Sequence, residues 1–281
     1  MEILPTDDRS RASWLADVAF FIRAMSDERM AAVVSRLPRA GVPGILDRME
    51  VVVRPGAALW LFLPPRRRRP EIVVPYDGSS SLGHVVQALG IPLTEVQPPV
   101  VDGTRSGRLH DGAVIELAPP PRPQPLPDGA RFLLDVHLGS LARRLRLLGI
   151  DTAYENEADD ADLVERAGRE HRVLLTQDRG LLMRRALRAG AYVRGAGADA
   201  QLADVLDRFA PRLAPWTRCS ACNGELADVP KAEVADRLEP GTLRCYERFS
   251  RCRSCGRVFW RGAHGRRLDA IVAEALRTRP S

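Results

Sequence analysis

The chain has 281 residues, 45% of them hydrophobic, with 42 Lys and Arg against 36 Asp and Glu for a net charge of +6. That length supports two or three compact units. No apolar run approaches the ~20 residues of a membrane-spanning helix, and Met1 to Asp8 lacks the basic-then-apolar layout of a signal peptide, so a cytosolic location with no membrane association is expected.

Residues 10–40 carry an amphipathic pattern (Phe20, Phe21, Met25, Met30, Val33, Val34, Leu37) that ends at Pro38. It predicts a helix or helix pair within a helical N-terminal extension over 1–50. Strand material follows at 51–53, 59–63 and 71–74; the arginine run 66–69 between the last two reads as a solvated loop, against the alternative of an RNA or partner contact. A helix is expected over 81–90, with Ser81 at its start and Gly90 at its stop. Two short strands, 100–101 and 113–117, lie beside the turns Asp102-Gly103 and Asp111-Gly112. Residues 51–118 therefore predict a small α+β roll with no catalytic cluster. Between Ala118 and Asp128, six prolines (119, 120, 121, 123, 125, 127) forbid a helix and favour extended polyproline II. The linker is placed at 119–130.

Beyond it the pattern changes. An apolar strand over 131–135 ends on Asp135, and a helix over 138–148 carries Leu138, Leu141, Leu145 and Leu148 on one face before Gly149 stops it. Further strands are expected at 150–154, 172–176 and 191–194, with helices at 162–170, 181–189 and 201–209. This βαβα alternation over 131–213 predicts a parallel sheet covered by helices on both faces. Ligands bind such sheets at the carboxyl ends of the strands. Asp135 and Asp178 lie there, and the acidic group Asp159, Asp160 and Asp162 opens the helix between those strands. Clustered carboxylates raise one another's pKa unless a hard cation neutralises them. A site of this type holds Mg²⁺ or Mn²⁺ and suits phosphodiester hydrolysis. The competing structural role is helix capping, which any of Asp159, Asp160, Asp162 or Asp178 could serve. Arg143, Arg144 and Arg146, off the leucine face, either approach a phosphate backbone or are simply solvated.

Residues 214–270 contain Cys219-x-x-Cys222 and Cys252-x-x-Cys255, two thiol hooks that fit a closed tetrahedral Zn²⁺ site with a structural role. His264 is superfluous beside four thiols, and Cys245 reads as a small apolar filler. From Arg244 to Arg267 there are eight arginines against one acid, Glu247, which places a basic surface on this module. Arg251, Arg253, Arg257 and Arg261 are its candidate RNA contacts, against the alternative of a solvated face. Residues 271–281 are expected to form a tail.

The stretch 132–152 (FLLDVHLGSLARRLRLLGIDT), together with 172–179 (RVLLTQDR), both cysteine hooks and 259–264 (FWRGAH), resembles the Mut-seven C-terminal RNase domain family over about 131–268. The resemblance implies a PIN-like nuclease fold followed by a zinc ribbon. The upstream roll is similar to the ubiquitin-like (β-grasp) domain that often precedes this RNase, through Leu63-Pro64-Pro65 and the stretch 109–117. What the resemblance implies is a metal-dependent ribonuclease with RNA as partner, and a protein partner is expected through the ubiquitin-like domain. The family's acidic positions carry over to Asp135, Asp160 and Asp178, with Asp162 or Asp159 as substitutes for the middle one. Where the family commonly has Thr-Arg-Asp, this chain has Thr176-Gln177-Asp178, and Arg179 is the expected replacement on phosphate. Two other functions compete with it: a non-catalytic RNA-binding adaptor that keeps the fold, and an HNH-type nuclease in the zinc module, for which His264 alone is insufficient.

Overall fold

A computed structural model describes residues 49–105, 107–126, 131–261 and 265–277; the amphipathic stretch at 10–40 and His264 lie outside the described residues. Among the described residues, no helix is long and apolar enough to cross a membrane.

In the first unit, β1 (Glu50–Pro55) pairs antiparallel with β2 (Ile72–Pro75) and parallel with β4 (Val114–Leu117), which pairs antiparallel with β3 (Val100–Val101). Alternation along β1 turns Val51 and Val53 inward, where α1 (Leu82–Ala88) covers them with Val85 and Val86. The Ser81 hydroxyl caps α1 by accepting from the His84 N–H, as its position predicts. The strand expected at 59–63 is instead part of a 3₁₀ helix, Ala57–Phe62. Its buried side chains, Leu59 and Phe62, are three apart, and a three-residue turn puts both on the core side, where a strand would split them. The sheet order β2-β1-β4-β3 with one covering helix is a β-grasp arrangement.

In the second unit, β5 (Arg131–Leu134), β6 (Asp151–Tyr154), β7 (Val173–Thr176) and β8 (Gly190–Tyr192) form an all-parallel sheet in the order β6-β5-β7-β8. Phe132, Leu134 and Leu175 face α2 (Gly139–Leu147) and α5 (Ala198–Phe209), whereas Leu133 and Leu174 face α3 (Asp160–Arg169) and α4 (Arg179–Leu182). The chain moves one way from β5 to β6 and the other way to β7, so the topological switch point lies between β5 and β7. The helix expected over 181–189 ends at Leu182: beyond it Leu187 is the buried hydrophobic residue among exposed arginines, too little apolar face for further turns. Gly139, at the first turn of α2, admits Tyr154, since a Cβ there would stand 2.6 Å from the tyrosine oxygen.

The third unit is a three-stranded antiparallel ribbon, β11-β10-β9, built from β9 (Leu226–Val229), β10 (Phe249–Cys252) and β11 (Val258–Trp260), with α6 (Pro240–Cys245) in the connection. Its core of Val229, Val234 and Phe249 is too small to stabilise a fold alone. Residues 271–277 are not a tail: α7 (Gly265–Arg277) packs Val272 and Ala275 onto the α2–α5 side of the parallel-sheet core. Cys245, expected as filler, is exposed.

The ribbon is docked by polar groups. Arg146, off the leucine face, is not a phosphate contact: it is buried, and donates to the carbonyls of Thr152 (2.9 Å) and Ala221 (2.8 Å). Asn223 accepts from the Thr152 N–H (3.0 Å) and donates to Asp151 (2.8 Å), which also receives Arg172 (2.7 Å). Burial raises the pKa of Asp151, but Arg172 and Asn223 outweigh it and hold the carboxyl below its ordinary value. The ion is thus favoured in the fold, and its contribution is complete at neutral pH and lost as pH falls through the folded-state pKa. Asp151→Ala should cost about 1.5–3 kcal/mol at neutral pH in urea unfolding, and the deficit relative to wild type should shrink on acidification below the carboxylate range.

Candidate active site and metal centre

Asp135 follows β5 at the switch point, with its N–H bonded to the Leu175 carbonyl (3.0 Å) and its side chain 7% exposed. Its Oδ2 accepts from the Thr176 hydroxyl (2.6 Å), and the same Thr176 oxygen accepts from the Asp178 N–H (2.8 Å). Asp178 in turn caps α4, with Oδ1 accepting from the Gly180 N–H (2.6 Å). One buried hydroxyl therefore positions both strand-end aspartates, with its single proton directed at Asp135. Among the described residues, Asp135 Oδ1 and Asp178 Oδ2 accept no hydrogen bond. Thr176 was missed in the sequence; its signal was a threonine ending an apolar strand two residues before an aspartate.

The acidic group at the start of α3 divides its roles. Asp159 is the cap, accepting from the Asp162 N–H (2.8 Å), and Asp162 is exposed. Asp160 lies in the first turn and its Oδ2 is held by Arg184 (3.0 Å). Asp135, Asp160 and Asp178 are set along one edge without closing on a point: among the described residues, the one group of three or more potential ligands within 4.8 Å of each other is the cysteine set. Asp135 and Asp178 nevertheless fit a hard divalent cation, because each presents an oriented carboxylate oxygen free to ligate. His137, just after Asp135, is exposed.

The basic residues sort differently from expectation. Arg179 does not point to phosphate; its guanidinium donates to the Leu61 carbonyl (2.5 Å) and stacks 5.6 Å from the Phe62 ring, both in the β-grasp unit. Gln177 is a brace, with its amide donating to the carbonyls of Val193 and Gly195 (3.0 Å each). Both residues flanking Asp178 are thereby committed to packing. Arg144 pairs with Asp199 (2.9 Å), Arg251 with Glu233 (3.6 Å) and Arg253 with Glu225 (3.9 Å). Arg143 and Arg257 are exposed with no ion-pair partner among the described residues, and Arg261 lies 4.8 Å from the Trp216 ring.

The four hook cysteines converge. Cys219 Sγ lies 3.8 Å from Cys255 Sγ, and Cys222 Sγ lies 3.5 Å from Cys252 Sγ. A tetrahedron with metal–sulfur bonds of about 2.3 Å has edges of about 3.8 Å, so the donor set fits a thiolate-bound metal. The turns are shaped for it: Asn223 (φ 70) and Gly256 (φ 71) take left-handed positions just after Cys222 and Cys255. Burial pushes the Cys222 thiol up to about 12. It also acts on Cys252, but the Cys255 and Ser254 N–H groups hold that thiol at about 7. Four thiolates side by side require a cation to coexist.

A family model described as the Mut7-C RNAse domain matches residues 130–272, and one described as Mut7-C ubiquitin matches residues 48–124. No curated protein and no solved structure gives a match to the chain. The RNase match covers just over half of the chain and takes in the parallel sheet, the strand-end aspartates and the cysteine ribbon. The chain belongs to the Mut7-C RNase domain family.

Proposed function

We propose that the protein is a ribonuclease that hydrolyses RNA phosphodiester bonds at the edge formed by Asp135, Thr176 and Asp178. The observation that carries this reading is the Thr176 hydroxyl holding two aspartates at a topological switch point, each with one open oxygen, in a chain of an RNase family. Asp135 and Asp178 would hold Mg²⁺ or Mn²⁺, with Asp160 as the third ligand. Bound there, the cation would supply a more acidic water and offset charge on the phosphate. The protein's own part is orientation. Thr176 keeps Asp135 from rotating, the α4 cap keeps Asp178 in place, and the sheet buries Asp135 behind its ligating edge. Zn²⁺ on Cys219, Cys222, Cys252 and Cys255 would brace the basic ribbon that faces RNA, and the reduced thiols it requires suit the cytosol. A protein partner would use the outer face of the β-grasp unit, where Val73 is exposed.

The engagement of Asp160 by Arg184, and of Gln177 and Arg179 by packing, favours a second reading, a non-catalytic RNA-binding adaptor. Incubation of the purified zinc-loaded chain with single-stranded and folded RNA separates the two. The ribonuclease cleaves, and Asp178→Asn abolishes cleavage while RNA binding persists. An adaptor binds RNA and cleaves none.

A further inference from the structure

Between α2, the ribbon and α7 lies an open groove of about 810 Å³. Its α2 side is formed by Ser140, Arg143, Arg144 and Leu147, positions that share one helix face. Since α2 follows Asp135 through the 3₁₀ turn Val136–Leu138, the groove begins at the helix end nearest the acidic edge and leads to the ribbon. Trp216, Tyr246, Phe259 and Trp260 line its other walls.

Two acids reach the groove, and both are engaged: Asp228 takes the Ser250 hydroxyl (3.2 Å) and Glu247 takes Lys231 (2.6 Å). Arg143, Arg248 and Arg261 also reach it, and none has a carboxylate partner among the described residues. Arg261 is stacked on Trp216, and Trp260, whose ring lies 6.5 Å from that of Phe249, stays 41% exposed. Ring faces beside unpaired guanidinium groups are what a single-stranded nucleic acid requires, with bases on the rings and phosphates on the arginines. An apolar helix of another protein would cover three guanidinium groups without neutralising them. Duplex RNA keeps its base faces stacked inside the helix and offers none to Trp260.

We propose that this groove binds a nucleotide of single-stranded RNA, with its base on Trp260 and the flanking phosphates on Arg143 and Arg248. It would hold the strand on its way to the Asp135 edge. The inference rests on the ribonuclease reading and deepens it by naming the strand state of the substrate.

The test is anisotropy of a labelled single-stranded oligoadenylate bound to full-length zinc-loaded protein, in an Asp135→Asn background so that the RNA stays intact. Trp260→Ala should weaken binding roughly 5- to 100-fold, and Trp260→Phe should restore most of it. Arg143→Ala and Arg248→Ala should each reduce the slope of log affinity against log salt by about 0.7. Binding to a duplex should not respond to Trp260→Ala. If Trp260→Ala loses zinc, the Phe variant and the two arginine variants decide, since they leave the ribbon core intact. Unchanged affinity and salt slope in these variants would overturn the groove, whether or not the wild type cleaves. A wild type that binds through the groove but never cleaves would overturn the ribonuclease reading alone. A parent protein that binds no RNA overturns both.

Discussion

Replacing Asp135 by Asn is expected to lower RNA cleavage by at least about a hundredfold while leaving the fold in place. Asn has the shape of Asp, and its oxygen can still accept the Thr176 hydroxyl that now bonds Oδ2. Removing a carboxylate that is 7% exposed also relieves a desolvation cost. Thermal unfolding should therefore change by no more than about 1 kcal/mol. What is lost is the negative charge, and with it the hard oxygen donor. Asp178→Asn should behave alike, because Asn caps α4 as well as Asp does but carries no charge. Thr176→Val, which keeps the charges and removes the hydroxyl that positions them, should fall between wild type and the aspartate variants. Cleavage by Asp135→Asn within a few-fold of wild type would remove Asp135 from the reaction.

Arg208→Met should destabilise the protein by about 3–5 kcal/mol, or roughly 6–20 °C in the unfolding midpoint. Arg208 is 3% exposed and Glu95 is 2% exposed, and the Arg208 Nη1 donates to both Glu95 carboxylate oxygens, at 2.8 and 2.9 Å, between α5 and the β-grasp unit. Glu95 also accepts from the Tyr192 N–H (2.8 Å), and Arg208 donates to Gln124 (2.9 Å), so the pair is hydrogen-bonded on both sides. Truncating Arg208 leaves a buried carboxylate without its counter-ion, which is where the cost arises. The pair itself contributes far less than that figure. Glu95→Gln combined with Arg208→Met leaves no buried charge, and Gln keeps an acceptor for Tyr192. The double variant should recover most of the loss, and simple addition of the two single effects would contradict this account. Loosening the same interface also frees Arg179 from Leu61 and Phe62, next to Asp178. The single variant should consequently lose cleavage as well as stability.

What the sequence disclosed were features whose cause is local. The apolar runs ending on Asp135 and Thr176 read as buried parallel strands, and the three-and-four spacing of Leu138, Leu141, Leu145 and Leu148 reads as one helix face. The two thiol hooks read as a metal site because each hook is its own turn. Partner choice was not legible, because it depends on which surface arrives from elsewhere in the chain. Arg146 and Arg179 look like free cations in sequence, yet one is buried under the ribbon and the other lies on Phe62. Arg208 and Glu95 are far apart along the chain and meet only because the β-grasp unit docks on α5. The 3₁₀ helix at Ala57–Phe62 escaped because five apolar residues in a row satisfy a strand as readily as a three-residue turn. The groove beside α2 combines residues from six separate elements, and no single stretch announces it.

The central claim is that carboxylates at the ends of β5 and β7 cleave RNA with a divalent cation. Its most direct test is cleavage of single-stranded RNA by the zinc-loaded chain after removal of free Mg²⁺ and Mn²⁺, with each cation then returned in turn to wild type and to Asp135→Asn. The account predicts no cleavage without the cation, recovery in wild type on adding Mn²⁺ or Mg²⁺, and none in the variant. Cleavage that persists without either cation, or that returns equally in Asp135→Asn, would contradict it.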